Sequence, residues 1–373
     1  MQKLLDFYTY KEIKQQPRMW VKACEQIRDR KAEIATFVHK YLDQDYKVVL
    51  TGAGTSAYIG DALEPALFRT LFRSARSIAT TDILTAPENY FDSSSKVLLV
   101  SFARSGNSPE SVGAVRAVEK TAGNVAHIFI TCNALGQLAL MQGEHILTVL
   151  LPPETNDLSL AMTSSYSTML LACALIAHID NIEAQQEHIS CLSAAVEAAM
   201  EKYESDIRGI AGMGFKRAVF LGSGPLKGVA EESRLKLQEL TDGSVMCAFD
   251  SFLGFRHGPK AVVKSDTLIV YLLSDKPAVQ RYELDLIRQI KALGYEMGSV
   301  LVSQHRPSGD CAGTLCIEIG LPASMPECFS CVSYIFVAQM LGMFKSLDFG
   351  LSPDSPSISG NISRVVEGVT VYN

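Results

Sequence analysis

No cluster of lysines and arginines marks this 373-residue chain, whose 34 basic and 40 acidic residues give a formal net charge of −6. A nucleic-acid footprint is thereby disfavoured, and no nucleic-acid partner is expected. A few local N–H groups would still suffice for a small anion. Zinc-finger spacing is missing too. Among nine scattered cysteines, Cys328 and Cys331 form a lone CxxC with no second pair and no nearby histidine. No metal is expected, and the thiols read as small hydrophobes in a reducing cytoplasm. The stretch MQKLLDFYTYKEIKQQ (1–16) lacks a basic segment followed by an apolar one, so no signal peptide is expected. The longest apolar run, 169–179, is too short for a bilayer and ends at His178 and Asp180. A buried helix is expected there, and no membrane partner. Both nucleotide fingerprints are absent: GAGTSAYIG (52–60) lacks the third glycine of the dinucleotide pattern, and GxxxxGK[ST] does not occur.

What is present is 47% apolar and 20% charged, the balance of a soluble protein with a sizeable core and room for two domains. Apolar runs at 47–52, 96–102, 127–132 and 146–151 alternate with helical patterns. Continuous Val, Ile and Leu fit strands covered on both faces, and the spacing predicts a doubly wound α/β sheet. The second half repeats the first. AVFLGSGPLKG (218–228) resembles VVLTGAGTSAY (48–58), and DTLIVYL (266–272) follows KVLLVSF (96–102) at the same offset of 170 residues. A duplicated α/β unit is expected, with flavodoxin-like domains at 47–180 and 215–346. Residues 1–46 read as a helical segment, 181–214 as a linker helix, and 347–373 as a closing tail that ends in a short strand.

The copies differ at one loop. After its second strand the first half has ARSGNS, whereas the second has SDKPAV. Ligands of open α/β sheets bind beyond the carboxyl ends of strands, where helix N-termini offer free N–H groups. GAGTS (52–56) opens a helix at Ser56, and ARSGNSPES (103–111) opens another with Pro109 at an early position. Ser56, Ser105, Asn107 and Ser108 could surround one anion, with Gly54 and Gly106 admitting close backbone approach. Alternatively, Ser105 and Ser108 are N-caps and Asn107 a turn residue.

The chain resembles the sugar isomerase (SIS) family, and in particular its bacterial galactosamine-6-phosphate deaminase/isomerases. The segments that carry the likeness are TGAGTSAYIGD (51–61), ARSGNSPES (103–111), ETNDLSLAMTSS (154–165) and GFRHGPKAVV (254–263). KEIKQQPRMW (11–20) resembles the family's opening helix, and SGNISRVVEGVT (359–370) its tail. The resemblance implies two SIS-type domains and a phosphosugar ligand held by Ser56, Ser105 and Ser108. It adds Gly54, Thr55, Arg104, Asn107, Thr163 and Ser164 as substrate-binding candidates. Ala103 stands where the related synthase has a serine and offers only its backbone. Arg104 replaces a glutamine and brings a charge toward the phosphate or a sugar hydroxyl.

Moving a carbonyl between C1 and C2 of a sugar needs a base for the C2 proton and an acid to open the ring; it needs neither metal nor cofactor. Glu232, Lys236 and Glu239 fall at i, i+4 and i+7 of a helix predicted over PLKGVAEESRLKLQEL and stopped by Gly243. Spacing alone reads them as a solvent-exposed stripe of weak ion pairs. The family likeness instead maps Glu239 onto a proton-shuttling glutamate, with Lys236 and Glu232 as supporting charges. His257, between Gly254 and Gly258 and before Pro259, maps onto the ring-opening histidine. In relatives that residue can come from a neighbouring subunit, which implies a homodimer or higher homo-oligomer sharing its sites. The other six histidines read as structural. Glu367 stands where the synthase has a Schiff-base lysine, and no cysteine follows Met1, so amide-driven amination is not expected. The expected activity is conversion of galactosamine 6-phosphate and water to tagatose 6-phosphate and ammonia. The rivals are an aldose–ketose isomerase acting on sugar phosphates without an amine and a non-catalytic sugar-phosphate sensor.

Overall fold

The computed structural model describes residues 3–307, 314–365 and 368–372. The chain forms two compact units. One comprises Arg18–Asp157, Met162–Ser190 and Ser363–Asn373, the other Met1–Pro17, Leu158–Ala161 and Cys191–Ile362. Each contains one sheet, and each is described by itself. Glu367 and Cys311 lie outside the described residues.

Helices α1 (Tyr8–Asp29) and α2 (Lys31–Leu42) precede β1 (Lys47–Thr51). The first sheet then alternates with helices: α3 (Thr55–Ala66), β2 (Arg76–Ser77), α4 (Thr80–Thr85), β3 (Lys96–Ala103), α5 (Pro109–Thr121), β4 (Asn124–Thr131), α6 (Gln137–Leu140) and β5 (Ile146–Leu150). Its five strands are all parallel in the order β2-β1-β3-β4-β5, with Thr51 beside Ser101 and Ala103 beside Thr131. After its first residue β3 is buried at every position, as expected for a strand covered on both faces. Helix α7 (Ser164–Ala177), which holds most of the apolar run seen in the sequence, is buried throughout. Helix α8 (Ile182–Ala211) is the long helix expected over 181–214.

The second sheet contains β6 (Arg217–Gly222), β7 (Met246–Asp250), β8 (Thr267–Leu272), β9 (Gly298–Ser303) and β10 (Thr314–Glu318), with α9 (Pro225–Leu240), α10 (Phe252–Phe255) and α11 (Pro277–Leu293) between strands. Its order, β10-β9-β8-β6-β7, is that of the first sheet read from the other edge, and all its pairs are parallel. Two doubly wound flavodoxin-type sheets are therefore present, as the repeat implied. Four strands went unread in the sequence: β2, β7, β9 and β10. Helices α12 (Glu327–Ser330) and α13 (Ile335–Asp348) close the second unit. The stretch Glu327–Asp348 is long and apolar enough to cross a membrane by length and composition, but 94% of its most apolar window is buried in the protein. Cys328 and Cys331 are buried thiols that form no disulfide with each other, and burial pushes the Cys328 thiol up to about 12. The strand expected at the end of the tail is absent: residues 368–372 carry none, and Val371 packs over Gly113 of α5 instead.

The duplication extends to backbone angles. Gly54 before α3 has φ 54° and ψ −127°, and Gly224 before α9 has φ 57° and ψ −129°. Two residues earlier, a Cβ on Gly52 would meet the Ser56 carbonyl carbon at 2.4 Å, and one on Gly222 the Leu226 oxygen at 2.1 Å. The first glycine of each pair thus admits the following helix, and the second adopts angles that L-residues avoid. At Gly224 no atom stands in the way of a Cβ, so Gly224→Ala should cost only the backbone term, about 1–3 kcal/mol. Gly222→Ala should cost more, because backbone must move. Urea unfolding of the two variants checks the order, and equal losses would contradict it.

Candidate active site

In the first sheet, β1 and β3 are neighbours from which the chain leaves in opposite directions, the place where such sheets bind ligands. Thr55 and Ser56 begin α3 and are buried, so the helix starts one residue before Ser56. The loop 104–108 follows β3. Gly106 takes φ 66°, and its carbonyl accepts from the Leu138 amide at 3.2 Å. The Ser105 carbonyl accepts from Asn133 Nδ2 at 2.8 Å, and Asn107 Oδ1 accepts from the Gln137 amide at 2.9 Å. The segment after β4 thus holds the loop's outer rim. Ser108 is the N-cap of α5: its Oγ accepts from the Ser111 amide at 3.2 Å and donates to Ser111 Oγ at 2.6 Å. The capping role was one of two sequence readings, and a cap at a strand end is compatible with anion binding by the amides beside it.

Thr163 and Ser164 are fully buried at the start of α7. Their amides, with that of Ser165, donate to the Asp157 carboxylate at 2.8, 3.2 and 2.9 Å, and all three hydroxyls do likewise. Asp157 therefore supplies the negative charge that this helix N-terminus favours. Arg104 is buried and donates to the Arg364 carbonyl. Arg364 in turn donates through Nε to the Asp157 carbonyl at 2.8 Å and through Nη2 to Asn156 Oδ1 at 2.9 Å. The tail is thus stitched to the loop before α7. Sequence reading missed both Asp157 and Arg364, whose only signal was their place inside the quoted segments.

In the second unit, α9 presents Glu232, Lys236 and Glu239. They are not a solvent-exposed stripe. Glu232 and Lys236 are fully buried, and only Glu239 reaches solvent, its side chain 22% exposed. Lys236 Nζ lies 2.6 Å from Glu239 Oε2 and 3.3 Å from Glu232 Oε1. Burial penalises the ammonium, but the charges of Glu232 and then Glu239 outweigh it and raise its affinity for the proton. The cover comes from α13. A Cβ on Gly342 would meet the Lys236 carbonyl oxygen at 3.1 Å, so glycine lets the two helices close. His257 is exposed in the turn after α10, its amide bonded to the Gly254 carbonyl at 2.9 Å, and Gly258 beside it takes φ 118°. Among the described residues no hydrogen bond or ion pair joins the His257 ring to the three charges of α9.

The second sheet treats its own switch point differently. Its loop 273–276 has four residues against the five of 104–108 and no glycine. Glu283 from α11 is wholly buried over it, with Oε2 accepting from the Ser274 amide at 3.0 Å. Ser223, the residue between the two glycines, stands close enough to favour the carboxylate, although Oε1 has no hydrogen-bond partner among the described residues. An internal carboxyl thus sits where the first half carries its donor-rich loop.

The SIS domain profile matches residues 40–179. A D-galactosamine-6-phosphate deaminase AgaS of Shewanella sp. (strain ANA-3) is 39% identical over 98% of this chain and 92% of that protein. The E. coli protein of the same name is 35% identical over 98% and 95%. A crystal structure of tagatose-6-phosphate ketose/aldose isomerase from E. coli superposes with a TM-score of 0.90 at 32% identity, covering 100% of this chain and 98% of that one. The chain belongs to the SIS-domain family, in the group that contains these full-length relatives.

Burial raises the Glu283 carboxyl from its ordinary 4.5 to about 7. The native state therefore holds this proton more tightly than the unfolded chain. The resulting stabilisation is complete below about pH 4.5 and is lost as the pH rises through 7. Between those limits the native protein should lose about 3 kcal/mol relative to Glu283→Gln, whose neutral amide does not titrate. Urea midpoints of both proteins at pH 5 and pH 8 measure the difference. Parallel profiles would show that Glu283 titrates normally.

Proposed function

We propose that the protein is an aminosugar-phosphate deaminase that converts D-galactosamine 6-phosphate and water to D-tagatose 6-phosphate and ammonia. The observation that carries this reading is a lysine shut away from solvent that fixes one carboxylate at the solvent edge of α9. Such a carboxylate is placed as a general base, and the names of the full-length relatives supply the substrate.

The proposed roles follow from each group's chemistry. Amides and hydroxyls at Gly54, Thr55, Ser56, Ser105, Asn107 and Ser108 bind the phosphate. Arg104, Thr163 and Ser164 shape that loop from behind. His257 opens the pyranose ring by moving a proton between the ring oxygen and the anomeric hydroxyl. Glu239 removes the C2 proton of the open-chain aldehyde, which gives an enolamine, and returns a proton at C1. The product is a ketimine at C2. Water adds there, the C–N bond breaks, and ammonia leaves with a ketone behind it. Lys236, itself held by Glu232, keeps Glu239 oriented and offsets charge on the enolamine oxygen. The same reading includes a homodimer or higher homo-oligomer working in the cytoplasm.

Glu239→Gln keeps an oxygen for Lys236 but loses the base. It should lower kcat by about 10²–10⁴ while leaving phosphosugar affinity within a few fold. Near-normal turnover would remove Glu239 from the mechanism. A panel of amino and hydroxy hexose 6-phosphates, read for both ammonia and ketose, tests the reaction type. Ketose without ammonia from hydroxy sugars would favour the isomerase, and no turnover of any member the sensor.

A further inference from the structure

Three side chains converge within the first-sheet unit at residues outside the proposed catalytic set. Glu119 lies near the end of α5, His127 within β4, and His145 one residue before β5. One carboxylate oxygen and one ring nitrogen from each histidine all lie within 4.8 Å of one another. His127 is fully buried, and neither of its ring nitrogens has a hydrogen-bond partner among the described residues. Its Nε2 is 3.3 Å from Glu119 Oε1, too poorly aligned for a hydrogen bond. Leaving a buried polar group unsatisfied costs about 1–3 kcal/mol, so a buried imidazole whose Nε2 faces a carboxylate without bonding to it calls for a ligand at that nitrogen.

We propose that Glu119, His127 and His145 bind one transition-metal dication of the zinc class. Two imidazoles and a carboxylate are a donor set such ions take, with a fourth tetrahedral position left for solvent. Bonds of about 2.1 Å put ligand atoms roughly 3.4 Å apart. Glu119 and His127 already stand at that separation. His145 is exposed and closes the remaining distance by turning its ring. The backbone has prepared that movement. The His127 amide donates to the His145 carbonyl at 2.8 Å, which ties the two histidines across neighbouring strands. A Cβ on Gly143 would meet His145 Cε1 at 2.7 Å, so glycine makes room for the ring. His127 also stacks on Phe129 with ring centroids 5.4 Å apart, which fixes its direction.

The ion would clamp α5, β4 and the start of β5, so its effect is on the stability of the first-sheet unit and not on the chemical steps. The test uses the full chain stripped with EDTA and titrated with Co²⁺ and then Zn²⁺. One Co²⁺ per chain should bind with visible d–d bands of a nitrogen- and oxygen-ligated tetrahedral ion, and Zn²⁺ should displace it and raise Tm. His145→Ala and Glu119→Gln alter exposed side chains and should still fold. Each should weaken binding by at least about tenfold and abolish the Zn²⁺-dependent rise in Tm, while deaminase kcat stays unchanged. Absence of any cobalt band, thiolate charge-transfer bands showing cysteine ligation, or affinity unchanged in both variants would overturn the site.

Discussion

A helix that starts at the carboxyl end of a parallel strand leaves N–H donors which must meet an acceptor. The two sheets of this protein share a strand order and a glycine turn, and they meet that demand in different ways. In the second sheet a buried carboxyl, Glu283, takes the Ser274 amide. At α7 another, Asp157, takes three amides in succession. The loop 104–108 is held at its rim by the segment after β4, with Gly106 bending it. In the proposed reading, one copy's donors are kept for an external dianion and the other's are satisfied from within.

The charges of α9 follow the same economy. A buried ammonium is tolerated only with close, well-aligned counter-charges. Lys236 has two, one buried and one at the solvent edge. Their unequal exposure assigns different work to chemically identical side chains: Glu232 anchors the lysine, and the lysine orients Glu239. Helix α13, apolar and closely packed through Gly342, makes the arrangement possible by excluding water from one side.

Most of the strands that could be read in the sequence are buried on both faces, because unbroken Val, Ile and Leu leave a plain trace. Those that could not were β2, two residues long; β7 and β10, edge strands with partly exposed residues; and β9, which is buried but carries Gly298, Ser299 and Ser303 among its six residues. Helical spacing placed Glu232, Lys236 and Glu239 on one face but could not say whether that face met water. Burial of Glu232 and Lys236 depends on α13, which packs on α9 from about a hundred residues further along the chain. Glu283 and Asp157 were illegible because no helical or strand period links them to their amide partners, six to nine residues away across a loop. The tail's VTVY has a strand's alternation, yet residues 368–372 are in no strand and Val371 packs over Gly113. His127 and His145 are eighteen residues apart with no ligand motif between them, and only the pairing of β4 with β5 brings them together.

The central claim is that this chain keeps a single phosphate site, in the first sheet. A crystal structure of Glu239→Gln with galactosamine 6-phosphate tests it most directly. The account predicts the phosphate against the amides and hydroxyls of Ser56, Ser105 and Ser108, and no phosphate beside Ser223 and Ser274. Phosphate density at the second-sheet loop, or away from 104–108, would contradict it.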